Sequence, residues 1–322
     1  MRAACVLLFL ALALSPACGD DGGGDGDGGS DGAPGPDGAS GPDGASGPDG
    51  APGPDGAPAT VVGSIRVAEG RVFGMNAWQW GEARAELAAG GLRGWHTEIA
   101  RAGDCRLLHF ELGLCMDYCN GICVPPGVCM PYPTYENVGA LTITGLTGGT
   151  RTLTYDSYGY YANPPPPADA FAPGAAITAS APGGGAFAPF TVQAHGVAPL
   201  VSPTITDYQV AIPNGADFTF TWTPGGGAGD RVRLELKSNN QAHGLPVDSI
   251  IECDVADAGS LTVPRALIEQ FPATAGQQIC VLRDCPPSHL ARYSRGTVAA
   301  AGGEVELRIE SILDFGPVHP AP

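Results

Sequence analysis

Five of the chain's ten cysteines fall between Cys105 and Cys129, spaced C-x9-C-x3-C-x3-C-x5-C, with Gly121, Pro125, Pro126 and Gly127 among them. Such a stretch admits two chemistries. Four close thiolates could hold a tetrahedral Zn²⁺, but the usual knuckle of two C-x2–4-C pairs separated by a longer loop is missing. Disulfides require an oxidising compartment, and the N-terminal residues supply a route to one. Arg2 is a positive n-region, Ala4 to Leu14 is an apolar run of h-region length, and Ser15, Pro16 and Ala17 form a small-residue cleavage site. Residues 1–17 therefore read as a secretory signal, too short to span a membrane. The segment 105–129 is expected to be disulfide-rich, and neither a metal nor a cofactor is expected. Parity adds a topological constraint. Cys105, Cys115, Cys119, Cys123 and Cys129 are five, and Cys253, Cys280 and Cys285 are three. If all eight pair, at least one disulfide joins the two regions.

The residue after the cleavage site is Cys18, and here the chain resembles a bacterial lipoprotein signal, whose cysteine becomes the lipidated mature N-terminus. Leu14 stands four residues before Cys18, one further than is usual in such signals, and ordinary cleavage that leaves Cys18 a free thiol is the alternative. The resemblance implies several acyl chains on one residue, enough for stable anchoring where a single chain binds only marginally. Gly19, rather than Asp, follows the cysteine, which by the same resemblance points to the outer membrane.

Residues 18–59 read as a disordered spacer. From Gly32 to Pro58 run nine Gly-X-Y triplets, a period that resembles collagen, where only Gly fits at the triple-helix axis. A trimeric stalk would bring Asp37, Asp43, Asp49 and Asp55 of three strands together with no Lys or Arg nearby, so a monomeric spacer is favoured. Proline holds the chain near polyproline II, and 27 residues then reach roughly 80 Å. Asp25, Asp27 and Asp31 lack the spacing and terminal Glu of an EF-hand calcium loop. Much of the net charge of −17 sits in this tether, and Lys237 is the only lysine. No clustered cations exist to neutralise phosphates, so nucleic acid is excluded as a partner.

The rest of the chain reads as all-β, with two small antiparallel β-sandwich-like domains, 60–200 and 201–322, after the collagen-like spacer. Leu141 and Ile143 alternate with Thr142 and Thr144, and Phe190 and Val192 with Thr191 and Gln193. Val232, Leu234 and Leu236 alternate with Arg231, Arg233, Glu235 and Lys237, and Val305, Leu307 and Ile309 with Glu304, Glu306, Arg308 and Glu310. Period two with one polar face predicts half-buried strands. Breakers such as 163–167 (NPPPP) and 182–185 (PGGG) forbid long helices. Glu82 to Ala89 could form a helix stopped by Gly90 and Gly91, and Pro264 to Phe271 is expected to hold one short helix opened by proline.

Several runs carry a wider resemblance: GDCRLL, the C-x3-C pairs, GICVPPGVCMPYP, NVGALTITGL, PGAAITASAPGGGAFAPF, FTFTWTP and IIECDVADAGSLTVP. Together they look like a group of surface lipoproteins from myxobacteria and similar bacteria. The resemblance covers most of residues 60–285, rests on cysteine and turn signatures, and implies an exported β-protein without assigning an activity.

Catalytic motifs are missing from the sequence: no G-x-S-x-G, H-E-x-x-H, P-loop or G-x-G-x-x-G occurs in a suitable context. His96 with Glu98 and His109 with Glu111 form H-x-E pairs that read better as surface or turn residues. The chain is therefore not expected to be an enzyme. Aromatic residues are the stronger lead, because Tyr and Trp favour interfaces. Trp78, Trp80, Tyr158, Tyr160 and Tyr161 are the candidate binding residues, the tyrosines belonging with Tyr155 to the run YDSYGYY. The expectation is a non-catalytic lipoprotein displaying β-domains for surface binding or adhesion, with a glycan or an envelope protein as partner and the membrane held through its lipid. A trimerised structural envelope protein and a secreted hydrolase without a recognisable motif are the alternatives.

Overall fold

The computed structural model describes residues 60–72, 78–92, 94–157, 159–238, 246–275 and 287–320, all within one compact unit. The signal, Cys18, the spacer, Tyr158, Cys280 and Cys285 lie outside the described residues. The fold is all-β, with α1 (Arg265–Ile268) as the one helix among the described residues. It follows Pro264, inside the stretch where a proline-opened helix is expected.

Strand β19 (Gly303–His319) organises the molecule. Its side chains alternate, so Val305, Leu307, Ile309, Leu313 and Phe315 share one face. β1 (Val61–Val72) runs parallel to it, pairing Ile65 with Leu307 and Val67 with Ile309. β18 (Ser288–Ala300) runs antiparallel on its other side. The β18–β19 hairpin closes over Ala301 and Gly302, both at positive φ (47° and 81°). Positive φ at both residues of a two-residue turn matches the right-handed twist of the flanking strands.

The sheet continues beyond β1 through β2 (Trp78–Leu87), β9 (Gly159–Ala162), β8 (Arg151–Asp156), β7 (Leu141–Thr144), β10 (Ala176–Ala181) and β11 (Phe190–His195). Beyond β18 lie β14 (Arg231–Lys237), β15 (Ser249–Ala256), β4 (Cys105–His109) and β3 (Thr97–Ala102). Two antiparallel pairs stand apart, the hairpin of β5 (Gly121–Val124) with β6 (Val128–Pro131) and the long-range pair of β13 (Phe218–Thr221) with β16 (Ser260–Val263). The short β12 (Gln209–Ala211) and β17 (Thr274–Ala275) pair with the end of β19.

Two hydrophobic cores lie on the same face of β19. The first gathers Ile65, Leu87, Leu141, Leu153, Tyr160 and Ile177 around Val305, Leu307 and Ile309. The second gathers Leu107, Phe220, Leu234, Ile251, Leu261 and Leu267 around Leu313 and Phe315. Val197 belongs to the first core and Leu200 to the second, so the core changes near residue 200. Pairing nonetheless crosses that point twice: β1 pairs with β19, and β4 pairs with β15. β11 folds back over β18, so close that a Cβ on Gly296 would clash with the Gln193 carbonyl. There the Ser294 hydroxyl donates to the His195 carbonyl and accepts from the His195 N–H.

Two local expectations change. The segment Glu82 to Ala89 is mostly strand, because Ala83, Ala85 and Leu87 enter the first core while Glu82, Arg84 and Glu86 take the outer face. Period two, with burial of the small residues, overrides the helix propensity of Ala and Glu. The polar face of β19 is buried rather than half-buried, with Glu306 1%, Arg308 7% and Glu310 8% exposed. Ion pairs close over that face, two of them between strands and one along β19: Arg66 meets Glu310 at 2.5 Å, Arg295 meets Glu306 at 3.0 Å and Arg308 meets Glu306 at 3.1 Å. Burial alone would raise the Glu310 carboxyl, but Arg66 and Arg308 outweigh it and hold the group below its ordinary value.

Candidate functional site

A cleft of about 710 Å³ opens between the outer face of β2 and the β5–β6 hairpin. Trp95, Tyr132 and Tyr135 supply rings, Ile122 and Leu92 supply apolar wall, and Glu86, Asn120 and Ser157 supply polar groups. This composition, mostly apolar with a few polar groups, and this volume are typical of small-ligand sites.

Each wall is fixed by identifiable bonds. Disulfides Cys115–Cys123 and Cys119–Cys129 cross-link the segment that carries the β5–β6 hairpin. They hold Asn120 and Ile122, and the Tyr132 N–H donates to the Asn120 carbonyl at 3.2 Å. Trp95 is bracketed by two anchors, the Leu92 N–H on the Val61 carbonyl at 2.8 Å and His96 Nε2 on the Val247 carbonyl at 2.6 Å. Tyr135 is held by the Tyr155 hydroxyl on its carbonyl at 3.1 Å and by the neighbouring Glu136 N–H on the Leu87 carbonyl at 2.8 Å. The rings of Trp95 and Tyr132 meet edge to face, centroids 5.8 Å apart at 79°, a favoured aromatic geometry.

The electrostatics are one-sided. Glu86 is the only charged residue among the described lining residues. On the same outer face of β2, Glu82 is neutralised by Arg84 at 2.9 Å and Arg66 at 3.5 Å. Glu86 takes no hydrogen bond or ion pair among the described residues. Burial, the Glu86 charge and the phenol of Tyr161 together outweigh the opposing Arg84 charge and push the Tyr135 hydroxyl above its ordinary value, so it stays protonated and able to donate. A second concavity, lined by Ala140, Thr142, Ser180, Pro182 and Phe190 among others, presents no ionisable group.

The expected aromatic residues divide. Tyr160 does not present its ring to a ligand: it is 0% exposed in the first core, accepts the Val138 N–H at 2.6 Å and donates to Asn137 Oδ1 at 3.2 Å. Alternation along β9 explains it, since Tyr160 pairs with the inward Ala85 while Tyr161 pairs with the outward Arg84. Tyr161 is 42% exposed on that outer face, near Tyr135. Trp80 packs over Gly70 beside Ala68, Ala291 and Ile312, and its indole bonds Asp314. It fills a gap in the sheet's outer face where a Cβ on Gly70 would clash. Trp78 pairs with Val72 at the end of β2, and Tyr158 is outside the described residues. The run YDSYGYY still reaches the cleft through Ser157. Trp95, Tyr132, Tyr135, Asn120 and Glu86 were not singled out by sequence; the nearest signal was the pair of tyrosines in PYPTY after the last cysteine of the cluster.

The cysteine cluster follows its parity. Cys105 pairs with Cys253, 148 residues apart, and so links β4 to β15 within the second core, joining chain segments from either side of residue 200. The sulfurs of Cys115, Cys119 and Cys123 lie within 4.8 Å of one another, but all three are in disulfides, which offer no thiolate to a metal. The H-x-E pairs do not build sites either. Glu98 is bound by Arg101 at 2.7 Å, His109 Nδ1 meets the Ser249 hydroxyl at 3.3 Å, and burial keeps His96 below its ordinary value.

No family model matches the chain, and no curated protein matches it. Among solved structures, the crystal structure of chicken CNTN1 FN1–FN3 domains is similar over 71% of this chain and 67% of that chain, at 12% identity and a TM-score of 0.18. A likeness at that score carries no argument about fold or function.

Proposed function

We propose that this chain is a non-catalytic cell-envelope lipoprotein, anchored through Cys18 to the outer membrane, that displays its β-unit on the 18–59 spacer and binds an envelope or surface ligand in the aromatic cleft. Support for the address comes from the n-region, apolar run and small-residue site ahead of Cys18. Three disulfides suit an oxidising compartment. Among the described residues, no helix is long and apolar enough to cross a membrane.

The observation that carries the binding role is the cleft itself. The backbone that carries its rings is held by disulfides and main-chain bonds, and Trp95 and Tyr132 brace each other edge to face, which lowers the ordering cost of association. Its polar groups converge on one space without satisfying each other. The test is retention of purified envelope polysaccharide and protein fractions on the immobilised mature chain, with Trp95→Ala and Tyr132→Ala alongside. Each substitution is expected to weaken retention about tenfold, equivalent to ~1.4 kcal/mol. Undiminished retention by both variants would remove the cleft from the account. Mass spectrometry of the cell-derived protein tests the anchor: acyl mass on Cys18 supports it, and a free Cys18 thiol contradicts it.

A further inference from the structure

We infer that the cleft takes a glycan carrying free amino sugars, that is, hexosamine units with a protonated amine. This deepens the proposed function and rests on the cleft being a binding site at all.

Three features of the cleft select among ligand classes. The first is charge. Glu86 is the only charged group among the described lining residues. Arg84, the nearest cation along β2, already holds Glu82 at 2.9 Å. An acidic glycan, with uronate or phosphate groups, would place like charge against Glu86, and Arg84, the cation that reaches Tyr135, is already engaged by Glu82.

The second feature is that Glu86 stands partly shielded beside Tyr135 without a hydrogen bond or ion pair among the described residues. An ammonium bound there would gain the carboxylate and, from the neighbouring ring faces, cation–π attraction. A neutral sugar offers that carboxylate only hydroxyl or amide donors, without the charge assistance an ammonium brings.

The third feature separates an amino sugar from the other common amine, a lysine side chain. Trp95 and Tyr132 line the cleft with two rings set nearly at right angles, and Asn120, Ser157 and the two tyrosines bring hydrogen-bonding groups to the same lining. Sugar rings offer an apolar C–H face for stacking and a rim of hydroxyls for those groups. A lysine stem would fill a slot and leave the hydroxyl partners unused. The volume of about 710 Å³ also exceeds what one lysine side chain occupies and suits a short oligosaccharide.

The experiment is calorimetric titration of the mature chain with four probes: the fully deacetylated glucosamine tetramer, its N-acetylated counterpart, a galacturonate tetramer and tetralysine. Wild type and Glu86→Gln are compared, with thermal melts confirming that both fold. The glucosamine tetramer is expected to bind wild type about five- to tenfold more tightly than the acetylated tetramer, the size of one partly shielded ion pair with a cation–π contribution. Glu86→Gln should erase that preference, weakening the deacetylated tetramer more than the acetylated one, and the galacturonate tetramer should bind least. Equal binding of the two glucosamine tetramers, or a preference that survives Glu86→Gln, overturns the amino-sugar assignment. Tetralysine binding more tightly than the glucosamine tetramer overturns it in favour of a basic peptide. If no saccharide binds while Trp95→Ala still abolishes retention of an envelope fraction, the ligand class is wrong and the binding site stands. If retention also ignores Trp95→Ala and Tyr132→Ala, both readings fall together.

Discussion

Arg292 and Asp257 form the most enclosed ion pair among the described residues, with side chains 1% and 4% exposed. Arg292 Nε donates to Asp257 Oδ2 at 2.9 Å, Nη1 donates to the carbonyls of Ala198 and Pro199 at 2.9 and 3.1 Å, and Nη2 donates to the Thr223 carbonyl. Asp257 also accepts the Trp222 indole N–H at 2.5 Å and the Gly225 N–H at 2.6 Å. One guanidinium thus ties the connection between the two cores to β18 and to two loops. Replacing it by Met leaves a buried carboxylate without its cation and three carbonyls without a donor. Removing one partner of such a pair costs about 3–5 kcal/mol, a large part of the ~5–15 kcal/mol typical of a folded protein. At roughly 2–4 °C per kcal/mol for a chain of comparable length, Arg292→Met should lower the melting temperature by about 6–20 °C. Urea titration gives the free energy directly. The double variant Arg292→Met/Asp257→Asn should recover about 1–3 kcal/mol relative to the sum of the single changes, because the stranded charge is gone. Acid adds a check of sign. Burial favours the protonated Asp257 carboxyl, but the bonds from Arg292, Gly225 and Trp222 outweigh it and hold the group below its ordinary value of 3.8. The pair's contribution is therefore complete above about pH 4 and fades as pH falls below it. A loss under about 1 kcal/mol for Arg292→Met, or strict additivity in the double variant, would refute the reasoning.

Cys105→Ala/Cys253→Ala should cost about 4 kcal/mol in urea, since the bond closes a loop of 148 residues; a change below about 1 kcal/mol contradicts the disulfide's role as a staple. Tyr160→Phe should lower stability by about 1–3 kcal/mol, because it strands the buried Val138 N–H, and it should leave ligand retention unchanged; lost retention would return Tyr160 to the site. Burial lifts the Asp314 carboxyl to about 6 from 3.8, so its ionisation in the folded protein opposes folding as pH rises from about 4 to above 6. Asp314→Asn should therefore be more stable than wild type at pH 8, with the advantage gone below pH 4. Melts at pH 4, 6 and 8 that show an equal loss at every pH would contradict this.

Strand identity was legible wherever alternation was clean, as in β14, where Val232, Leu234 and Leu236 are all buried in the second core. Partner order was not, because alternation says which face a strand buries and nothing about its neighbours. The parallel match of β1 to β19 joins residues more than 240 apart, and no local signal reports it. Cysteine parity was the exception, a long-range constraint readable by counting, and Cys105–Cys253 satisfies it. The polar face of β19 misled because charged residues predict exposure, whereas here opposite charges on neighbouring strands and along β19 itself neutralise one another. The cleft was unreadable for a related reason. Glu86, Trp95, Asn120, Tyr132 and Ser157 come from separate stretches, each ordinary alone, and only the disulfide-held hairpin packed near β2 brings them together. Tyr160 and Tyr161 show the limit at its smallest scale, since adjacent tyrosines on one strand have opposite faces and one register step decides which is available.

Hydrogen–deuterium exchange of the mature chain with and without purified envelope polysaccharide tests the central claim most directly. Binding in the cleft should slow exchange at residues 94–96, 120–124 and 131–136, the segments that wall it, with the edges at β11 and β3 unchanged. Protection confined to other surfaces, such as the exposed Leu114, Met116 and Tyr118, in a sample that demonstrably binds, would contradict it.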